Sequence, residues 1–431
     1  MMQTALANRR HALAILAGAG ALLPGLAHGQ SALDAATLGV VGDSEANQGP
    51  ALQAALDQAA TSGQSLRLPA GTIRINGLEL PGNLLVEGVP GRTEIVVAAD
   101  GQGLHVSDKG SLVLRDIGFS GGNDTLSIAN SDAITLERCS FRNAAVGVSI
   151  TDSDVTISYC TFTEIGDAAV HSMDSRGLLI TGNRITHCGN AGIRIWRSES
   201  GSDGSIITGN RIASIDWRGG GNGQNGNGIN VFKADDVIIA DNHIADCAFT
   251  AVRLNGTNNT QISGNLCRNS GEVAIFSEFE FSGSVIANNI VDGAATGISI
   301  TNLDVGGHLA VCTGNIVRNI APVSAVNPDT IPIGIFAEAD TAITGNTVTN
   351  VPGVAIMAGY GTFLRNVLIS DNVVSESRFG IGVSVVDGAG SITIGSNMVA
   401  AREHEIVGMA WQEVVETDLV INAAKYGNVR L

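Results

Sequence analysis

The sequence predicts an all-β fold, a single-stranded parallel β-helix with a short capping helix at its N-terminal end. The first observation is composition: 55 of the 431 residues are Gly, only 9 are Pro and 44 % are hydrophobic, which is typical of short strands joined by tight turns. The second is a repeated apolar run followed by a turn, as in "LLITGNRI" and "SIITGNRI". The third is another run, of the "GIRI" type, between successive turns, so each repeat holds several strands.

An asparagine recurs once per repeat, at steps of 23 to 32 residues. That period suits one coil of a parallel β-helix, whereas helical repeats need a helical apolar period that is absent. Stacked coils lie about 4.8 Å apart, so each Asn side chain is expected to bond the backbone of the next coil. The predicted ladder comprises Asn183, Asn210, Asn242, Asn265, Asn288, Asn315, Asn346, Asn372 and Asn397.

Two cysteines occupy the ladder position upstream of the asparagines. Cys139 in "ITLERCSF" and Cys160 in "VTISYCTF" fall on adjacent coils, where a disulfide is geometrically allowed. The alternative is a pair of inward-pointing thiols packed as small hydrophobic groups. The remaining cysteines are scattered with no CxxC motif, so the sequence predicts no metal site and names no cofactor.

The N-terminal segment 1–29 reads as a cleaved export signal. Arg9 and Arg10 precede an apolar run from Ala12 to Leu26, with cleavage expected after Ala27 or Gly29. The arginine pair favours the twin-arginine translocase as the partner in export, and a general secretion signal is the alternative. Either route predicts a periplasmic protein. Three further segments are predicted: an N-terminal cap over 30–80 with a helix over 50–62, repeats over 81–401, and a C-terminal cap over 402–431.

The charge balance limits the classes of partner. The formal net charge is −17, which disfavours nucleic acids and anionic membrane surfaces, because many phosphates require a basic face. The same charge weighs against polyuronate ligands, although a local basic patch overrides net charge. No later run of 18 apolar residues occurs, so stable membrane insertion is not expected.

Aligning the "GIxI" strands gives two columns of outward side chains. The first column is Ser149, His171, Arg194, Asn230, Arg253, Phe276, Ser299, Phe336, Met357 and Gly382. The second is Thr151, Met173, Trp196, Phe232, Asn255, Glu278, Thr301, Glu338, Gly359 and Ser384. Polar and aromatic members cluster in the middle coils. Long turns at 214–228 and 196–205 flank that cluster, and a third lies at 320–332.

This cluster suits a carbohydrate chain, since aromatic faces and polar groups line a long surface. The predicted catalytic residues are His171, Arg194, Arg253 and Glu278. The predicted substrate-binding residues are Trp196, Asn230, Phe232, Lys233, Asn255 and Trp217. For a uronate, an arginine would neutralise the carboxylate while His171 or Lys233 removes the α-proton. A hydrolase would need two carboxylates, for which Glu278, Glu280 and Asp236 are candidates.

Several stretches resemble a known family. "IRIWRSESGSDGS", "GNGQNGNGINVFKA", "DCAFTAVRLNG", "EVAIFSEFEFSGSVIANNIVDGAA" and "IVGMAW" resemble twin-arginine-translocated periplasmic repeat proteins, which are right-handed parallel β-helices distantly similar to mannuronan epimerases and pectate lyases. "GPALQAALDQAATSGQSLRLPAGTIRI" is similar to the capping helix that opens many pectate-lyase-like proteins. The resemblance implies the fold, its handedness and the compartment. The polygalacturonase motifs (NTD, DD, GHG, RIK) and the DPHD motif of mannuronan epimerases are absent.

Two functions therefore remain open. The first is a periplasmic protein that engages a polysaccharide or cell-envelope glycan as a lyase, epimerase or hydrolase. The second is a non-catalytic module that presents its surface to a glycan or a protein. Catalysis requires an ionisable pair near one bound sugar atom, whereas binding needs only aromatic and amide groups.

Overall fold

The chain winds into a parallel β-helix in the computed structural model, which describes residues 32–221, 223–301 and 307–431. Each coil contributes one short strand to each of three faces, which we name A, B and C in the order of the chain. Face A is a 16-stranded sheet, and faces B and C together form a 27-stranded sheet. They join because Leu266–Glu278 and Ile290–Thr301 run through the corner between them. The predicted fold class is confirmed.

The strand bounds follow the repeat. Face A consists of Leu33–Asp34, Leu66–Arg67, Leu84–Glu87, Gly110–Arg115, Asp132–Glu137, Val155–Ser158, Leu179–Thr181, Ile206–Thr208, Ile238–Ala240, Asn258–Ser263, Ser282–Ala287, His308–Thr313, Thr341–Thr344, Val367–Ser370, Ile392–Gly395 and Val429–Arg430. Face B consists of Gly71–Ile75, Thr93–Val97, Gly118–Ser120, Ser140–Ala144, Thr161–Ile165, Arg184–Cys188, Arg211–Ile215, His243–Cys247, the first parts of Leu266–Glu278 and Ile290–Thr301, Ile316–Ile320, Thr347–Thr349, Val373–Ser375 and Met398–Ala400. Face C consists of Gly77–Glu79, Gly103–Ser107, Asp124–Ala129, Val146–Thr151, Ala168–Met173, Ala191–Ser202, Asn227–Asp235, Val252–Asn255, the last parts of the two shared strands, Ile333–Ala337, Val354–Ala358, Phe379–Ser384, His404–Ala410 and Glu413–Glu416.

The interior is a column of stacked apolar side chains. Inward positions alternate with outward ones along each strand, so equivalent Ile, Val and Leu residues lie one above another and are almost fully buried. Phe119, Phe141 and Phe162 form one such stack, with ring centroids 5.0 and 4.9 Å apart. Because the inside is filled, only outward side chains and turns are left to contact a ligand.

The asparagine ladder lies at the corner between faces A and B. Asn210 shows the pattern: its Nδ2 donates to the Ile180 carbonyl at 2.9 Å, and its Oδ1 accepts the Asn183 amide at 2.9 Å. Eight of the nine predicted members make these bonds. Asn288 is the exception, because the ladder position belongs to Asn289, whose Oδ1 accepts the Asn265 amide at 3.0 Å. The prediction for Asn288 was wrong by one residue.

The cysteines extend this ladder as free thiols. The Cys160 amide donates to Asn183 Oδ1 at 2.8 Å, and the Cys139 amide donates to Cys160 Sγ at 3.4 Å. Both thiols are buried and no disulfide joins them, so the inward-packed alternative is confirmed.

The two ends are closed differently. The predicted N-terminal helix spans Gly49–Ser62, ends at the left-handed Gly63, and buries Leu52 and Leu56 against the first coils. Parallel pairing already begins within the predicted 30–80 cap, because Leu33–Asp34 pairs with Leu66–Arg67.

At the C-terminal end, Glu413–Glu416 turns back antiparallel against His404–Ala410, and a short helix, Leu419–Asn422, follows. Three 3₁₀ turns complete the elements: Ala35–Leu38, Gly361–Phe363 and Ala423–Lys425. None of the helices in the described ranges is long and apolar enough to cross a membrane. The predicted export signal, residues 1–29, lies outside the described residues.

Candidate functional site

Face C carries the outward columns in the predicted register. His171 pairs with Arg194, Arg194 with Asn230, Asn230 with Arg253 and Arg253 with Phe276. The turn predicted at 196–205 differs, since the strand Ala191–Ser202 continues through it with a register shift between Trp196 and Gly201. The column residues therefore remain in register from coil to coil, and their accessibility depends on the segments that flank face C.

Arg194 is held in a bidentate ion pair. Its Nη1 and Nη2 donate to the two Asp167 oxygens at 2.8 and 3.0 Å, and Nη2 also donates to Asn225 Oδ1 at 2.9 Å. Burial alone would raise the pKa of Asp167, but the hydrogen bonds and charge of Arg194 hold it below its ordinary value. Arg194 is only 5 % exposed, and its charge is paired with Asp167, while its buried Nε has no hydrogen-bond partner among the described residues.

Arg253 lies between two buried carboxylates. Its Nε and Nη2 donate to Glu278 at 2.6 and 2.9 Å, and its Nη1 donates to Glu272 Oε2 at 3.1 Å. Asn255 Nδ2 also donates to Glu278 Oε1 at 2.9 Å. Two predicted catalytic residues, Arg253 and Glu278, are thus brought together, and they neutralise one another.

The 214–228 turn covers this part of the face. Asn227 Nδ2 donates to the Gly223 carbonyl at 2.7 Å, and a Cβ added to Gly223 would lie 2.4 Å from Arg253 Cζ. Trp217 packs on Phe249 with centroids 5.0 Å apart and donates to the Gly221 carbonyl. Asp216 and Arg218, which flank Trp217, are exposed and pair with each other. Gly223 therefore lies directly against the Arg253 guanidinium, and we name residues 216–221 and 223–226 the closing loop.

We name the part of face C around Arg194 and Arg253, beneath the closing loop, the closed region, and aromatic side chains form its edge. The Trp196 ring meets His171 at 5.3 Å and Phe232 at 6.3 Å, and its Nε1 donates to Asn230 Oδ1 at 2.7 Å. Burial and the charge of Arg194 lower the pKa of His171. The Lys233 ammonium lies 5.3 Å from the Phe232 ring centroid and donates to the Ser198 carbonyl. These residues contact one another as predicted, and most of their polar groups bond to other parts of the protein rather than facing solvent.

The alternative carboxylates lie elsewhere. Asp236 is at an exposed corner and accepts Asn259 Nδ2 at 3.1 Å, and a hydrogen bond from Ser202 lowers its pKa. Glu280 is exposed beyond the end of its strand. In the described parts of the chain, no group of three or more His, Cys, Asp or Glu side chains is placed to hold a metal ion. The predicted catalytic roles stay predictions.

An open groove lies on the next coils of the same face. Its volume is about 680 Å³, and residues 327–332 of the third long turn line one side. Phe276, Phe336 and Tyr360 contribute aromatic surface, with 6.4 Å between the Phe336 and Tyr360 centroids. Polar lining comes from Glu272, Thr296, Ser299, Thr301, Asn327 and Gln412. This is a concave surface that combines aromatic rings with hydrogen-bonding groups.

The wall of the groove is fixed to the coils beneath it. Asn327 Nδ2 donates to Glu272 Oε1 at 2.8 Å, and Ser324 Oγ donates to the Gly271 carbonyl at 2.6 Å. Thr296 Oγ1 donates to the Ile331 carbonyl at 2.5 Å. Glu272 therefore bonds both Arg253 in the closed region and Asn327 in the wall, so it connects the two regions.

Comparison with known families agrees with this architecture. The family described as "Right handed beta helix region" matches residues 95–225, 146–304 and 198–399, which together cover more than half of the chain. The chain belongs to this right-handed β-helix family. Curated protein sequences give no significant match to this right-handed β-helix.

Solved structures share the fold at low identity. The catalytic unit of a GH87 α-1,3-glucanase from Streptomyces thermodiastaticus is 12 % identical, with a TM-score of 0.57 over 91 % of this chain and 71 % of that one. The enzymatically active domain of tailspike protein 2 from bacteriophage CBA120 is 13 % identical, with a TM-score of 0.50 over 67 % of this chain and 48 % of that one. At such identities the likeness shows the right-handed β-helix fold alone.

Several residues that shape face C of this right-handed β-helix were not among the predicted site residues. Asp167 and Asn225 lie in turns, and Glu272 lies at the register shift within Leu266–Glu278, so all three are outside the outward columns although they pair with the predicted arginines. Phe276 and Phe336 stand in the first column, on coils that follow the charged cluster. Tyr360 and Gln412 come from the last coils, and Gln412 Nε2 donates to Tyr360 Oη at 3.2 Å.

Proposed function

We propose that this protein binds a polysaccharide or cell-envelope glycan in the open groove of face C. The observation that carries the proposal is the groove itself, which exposes three aromatic rings beside hydroxyl, amide and carboxylate groups. Sugar rings pack their C–H faces on aromatic side chains, while their hydroxyls bond polar groups at the edges. A structural neighbour named as an α-1,3-glucanase is consistent with such a ligand.

The state of Glu272 favours binding without catalysis. Glu272 Oε1 accepts Asn327, and its Oε2 accepts both Thr250 and Arg253. Both Glu272 oxygens are therefore engaged by donors of the protein itself rather than presented to a ligand in the groove. The binding module is therefore the function we favour over a lyase, epimerase or hydrolase. Export to the periplasm, proposed from the N-terminal sequence, would place the groove among envelope glycans.

The test compares the groove with the closed region. Wild type is screened on a glycan array, and the strongest hit is titrated by calorimetry against Tyr360→Ala, Phe336→Ala and Trp196→Ala. Loss of one aromatic contact is expected to weaken binding about threefold to tenfold in the two groove variants. Trp196→Ala, the matched aromatic control in the closed region, should bind like wild type.

Two outcomes would count against the proposal. If no glycan is retained by wild type, the groove does not serve carbohydrate. If Trp196→Ala loses binding while Tyr360→Ala keeps it, the ligand binds at the site predicted from sequence. Turnover of the bound glycan by wild type would instead support the enzymatic alternative.

A further inference from the structure

A second surface stands out on face B, away from the groove. Arg184, Arg211 and His243 occupy the same outward position on three successive strands, because Arg184 pairs with Arg211 and Arg211 with His243. Arg268 follows on the next strand, paired with Ala245. We name these four residues the basic strip. With strands about 4.8 Å apart, the strip extends about 14 Å along the axis.

The basic strip lacks the carboxylates that other arginines have. On the same face, Arg142 pairs with Glu94, and Arg318 pairs with Asp292 at 2.9 Å. Within the described residues, by contrast, no carboxylate oxygen lies within 4.0 Å of the guanidinium groups of Arg184, Arg211 or Arg268. Asp292 is the strand neighbour of Arg268 and interacts with its charge, but Asp292 Oδ2 is hydrogen-bonded to Arg318.

This arrangement is unusual for so acidic a chain. With 41 acidic residues against 24 basic ones, carboxylates are available to neutralise most surface cations. Like charges on adjacent strands destabilise each other directly. Arg184 and Arg211 are neighbouring cations on adjacent coils, and an external anion accounts for this pair better than a contribution to stability does.

The strip also borders a depression. Its volume is about 250 Å³, and the small side chains of Ala213 and Ala245 form part of its floor between the basic residues. The four basic side chains are exposed around it. An apolar floor with guanidinium groups at its rim accepts a ring-sized unit that carries an oxyanion, since guanidinium binds carboxylate, sulfate and phosphate esters bidentately.

We propose that the basic strip binds the anionic groups of a linear polysaccharide laid along the solenoid axis. The axial row of charges matches a polymer with repeated oxyanions better than a single small anion. The narrow width of the strip, on a protein of net charge −17, disfavours a broad polyphosphate such as duplex nucleic acid. This site is separate from the groove and does not depend on the function proposed for it.

The experiment uses dextran sulfate as the probe and uncharged dextran as its matched control. Binding of the full chain is measured by biolayer interferometry at low and moderate ionic strength. Wild type should bind dextran sulfate with a salt-dependent affinity and ignore dextran, because only the first carries oxyanions. The double variant Arg184→Gln/Arg211→Gln should lose about tenfold in affinity, since two charge-assisted contacts are removed.

The control variant is Arg142→Gln/Arg318→Gln, which removes the same charge from the same face but from paired arginines. It should change the affinity by less than about threefold, as expected for general electrostatics alone. Tyr360→Ala, in the groove, should bind dextran sulfate like wild type. The substituted strip arginines have no partner among the described residues, so an unchanged melting temperature is expected and serves as the folding check.

Four results would overturn the proposal. The first is that wild type binds neither polymer. The second is an equal loss of affinity in both double variants, which would show that the overall charge and not the strip attracts the polymer. The third is complete displacement of dextran sulfate by inorganic sulfate at the same sulfate concentration, which would show a site for a small ion. The fourth is equally tight binding of poly-glutamate with the same dependence on Arg184 and Arg211, which would show an acidic peptide site.

Discussion

The closed region and the open groove of face C use the same two columns of outward side chains and differ in what covers them. In the closed region, Arg194 and Arg253 meet three carboxylates and lie beneath the closing loop. In the groove, the same column positions hold Phe276, Ser299 and Phe336, and the 320–332 turn lines one side without filling the space. The same repeat thus carries one surface whose charged groups pair within the protein and another whose aromatic and polar groups line an open groove.

Charge explains the difference. A buried guanidinium must be paired and hydrogen-bonded, so its neighbours and the segment above it become part of its environment. Aromatic rings and hydroxyl groups impose no such demand, and the wall beside them needs only a few anchors. The predicted catalytic residues Arg194, Arg253 and Glu278 are therefore bonded to other side chains of the protein in the fold, and their catalytic roles stay predictions.

The largest expected effect is the loss of the cation at the centre of the closed region. Arg253→Met would remove the cation that Glu272 and Glu278 share, and their side chains are only 4 % and 5 % exposed. We expect the free energy of unfolding to fall by about 3–5 kcal/mol, because two buried carboxylates lose their common partner. Urea denaturation followed by circular dichroism measures this change.

Arg318→Met is the matched control, since Arg318 is 48 % exposed and pairs with Asp292 at the surface. Its cost should stay below about 1 kcal/mol. An equal decrease in the free energy of unfolding in the two variants would show that the Arg253 cluster is exposed to solvent. The closed region and the groove would then not differ in the burial of their charges.

A smaller effect is expected from the closing loop. Gly223 has φ +148°, and a Cβ there meets the Arg253 guanidinium at 2.4–2.5 Å. Gly223→Ala should therefore displace the loop and cost about 1–3 kcal/mol. Hydrogen exchange should accelerate at the Gly226 amide, which donates to the Asn190 carbonyl at 2.6 Å.

Gly220→Ala separates backbone strain from this contact. Gly220 has φ +62°, but no atom lies within 4 Å of its added Cβ. It should cost about 1 kcal/mol from the left-handed backbone alone, with no faster exchange at Gly226. Similar exchange in both variants would indicate that the loop does not rest on Arg253.

The fold could be predicted because it is periodic. Aligning the "GIxI" strands predicted the column that holds His171, Arg194 and Arg253, since every coil repeats the same three strands. The error at Asn288 has a local cause. The residue before each ladder position is left-handed, a role taken by Gly182 in "TGN" and by Asn288 in "ANN", where φ is +57°. Two adjacent asparagines gave the repeat no way to choose between them.

The site was less predictable because its contacts depend on the turns. The partners Asp167 and Asn225 lie in segments whose lengths vary, so the repeat does not specify which side chain they reach. The lengths of the 214–228 and 320–332 turns predicted that they border a site, but not how they lie against face C. Their placement depends on single contacts, such as the close approach of Gly223 to Arg253 and the hydrogen bond from Asn327 to Glu272.

The smallest effect concerns His171 at the edge of the closed region. Burial and the nearby Arg194 lower its pKa below 6.5, against the opposing charges of Asp167 and Asp124. Because the unfolded chain then binds the proton more readily, His171 favours the folded state above pH 6.5, and that contribution is lost as pH falls through the depressed value. Stepping from pH 7.5 to 5.5 should lower the melting temperature of wild type by at most about 2 °C more than that of His171→Gln, which cannot titrate.

His243→Gln is the control, because it removes an exposed histidine on face B that lies outside the closed region. If His171→Gln and wild type respond identically to pH while His243→Gln does not, the closed region does not perturb His171, and the contrast between the two halves of face C rests on the arginine clusters alone.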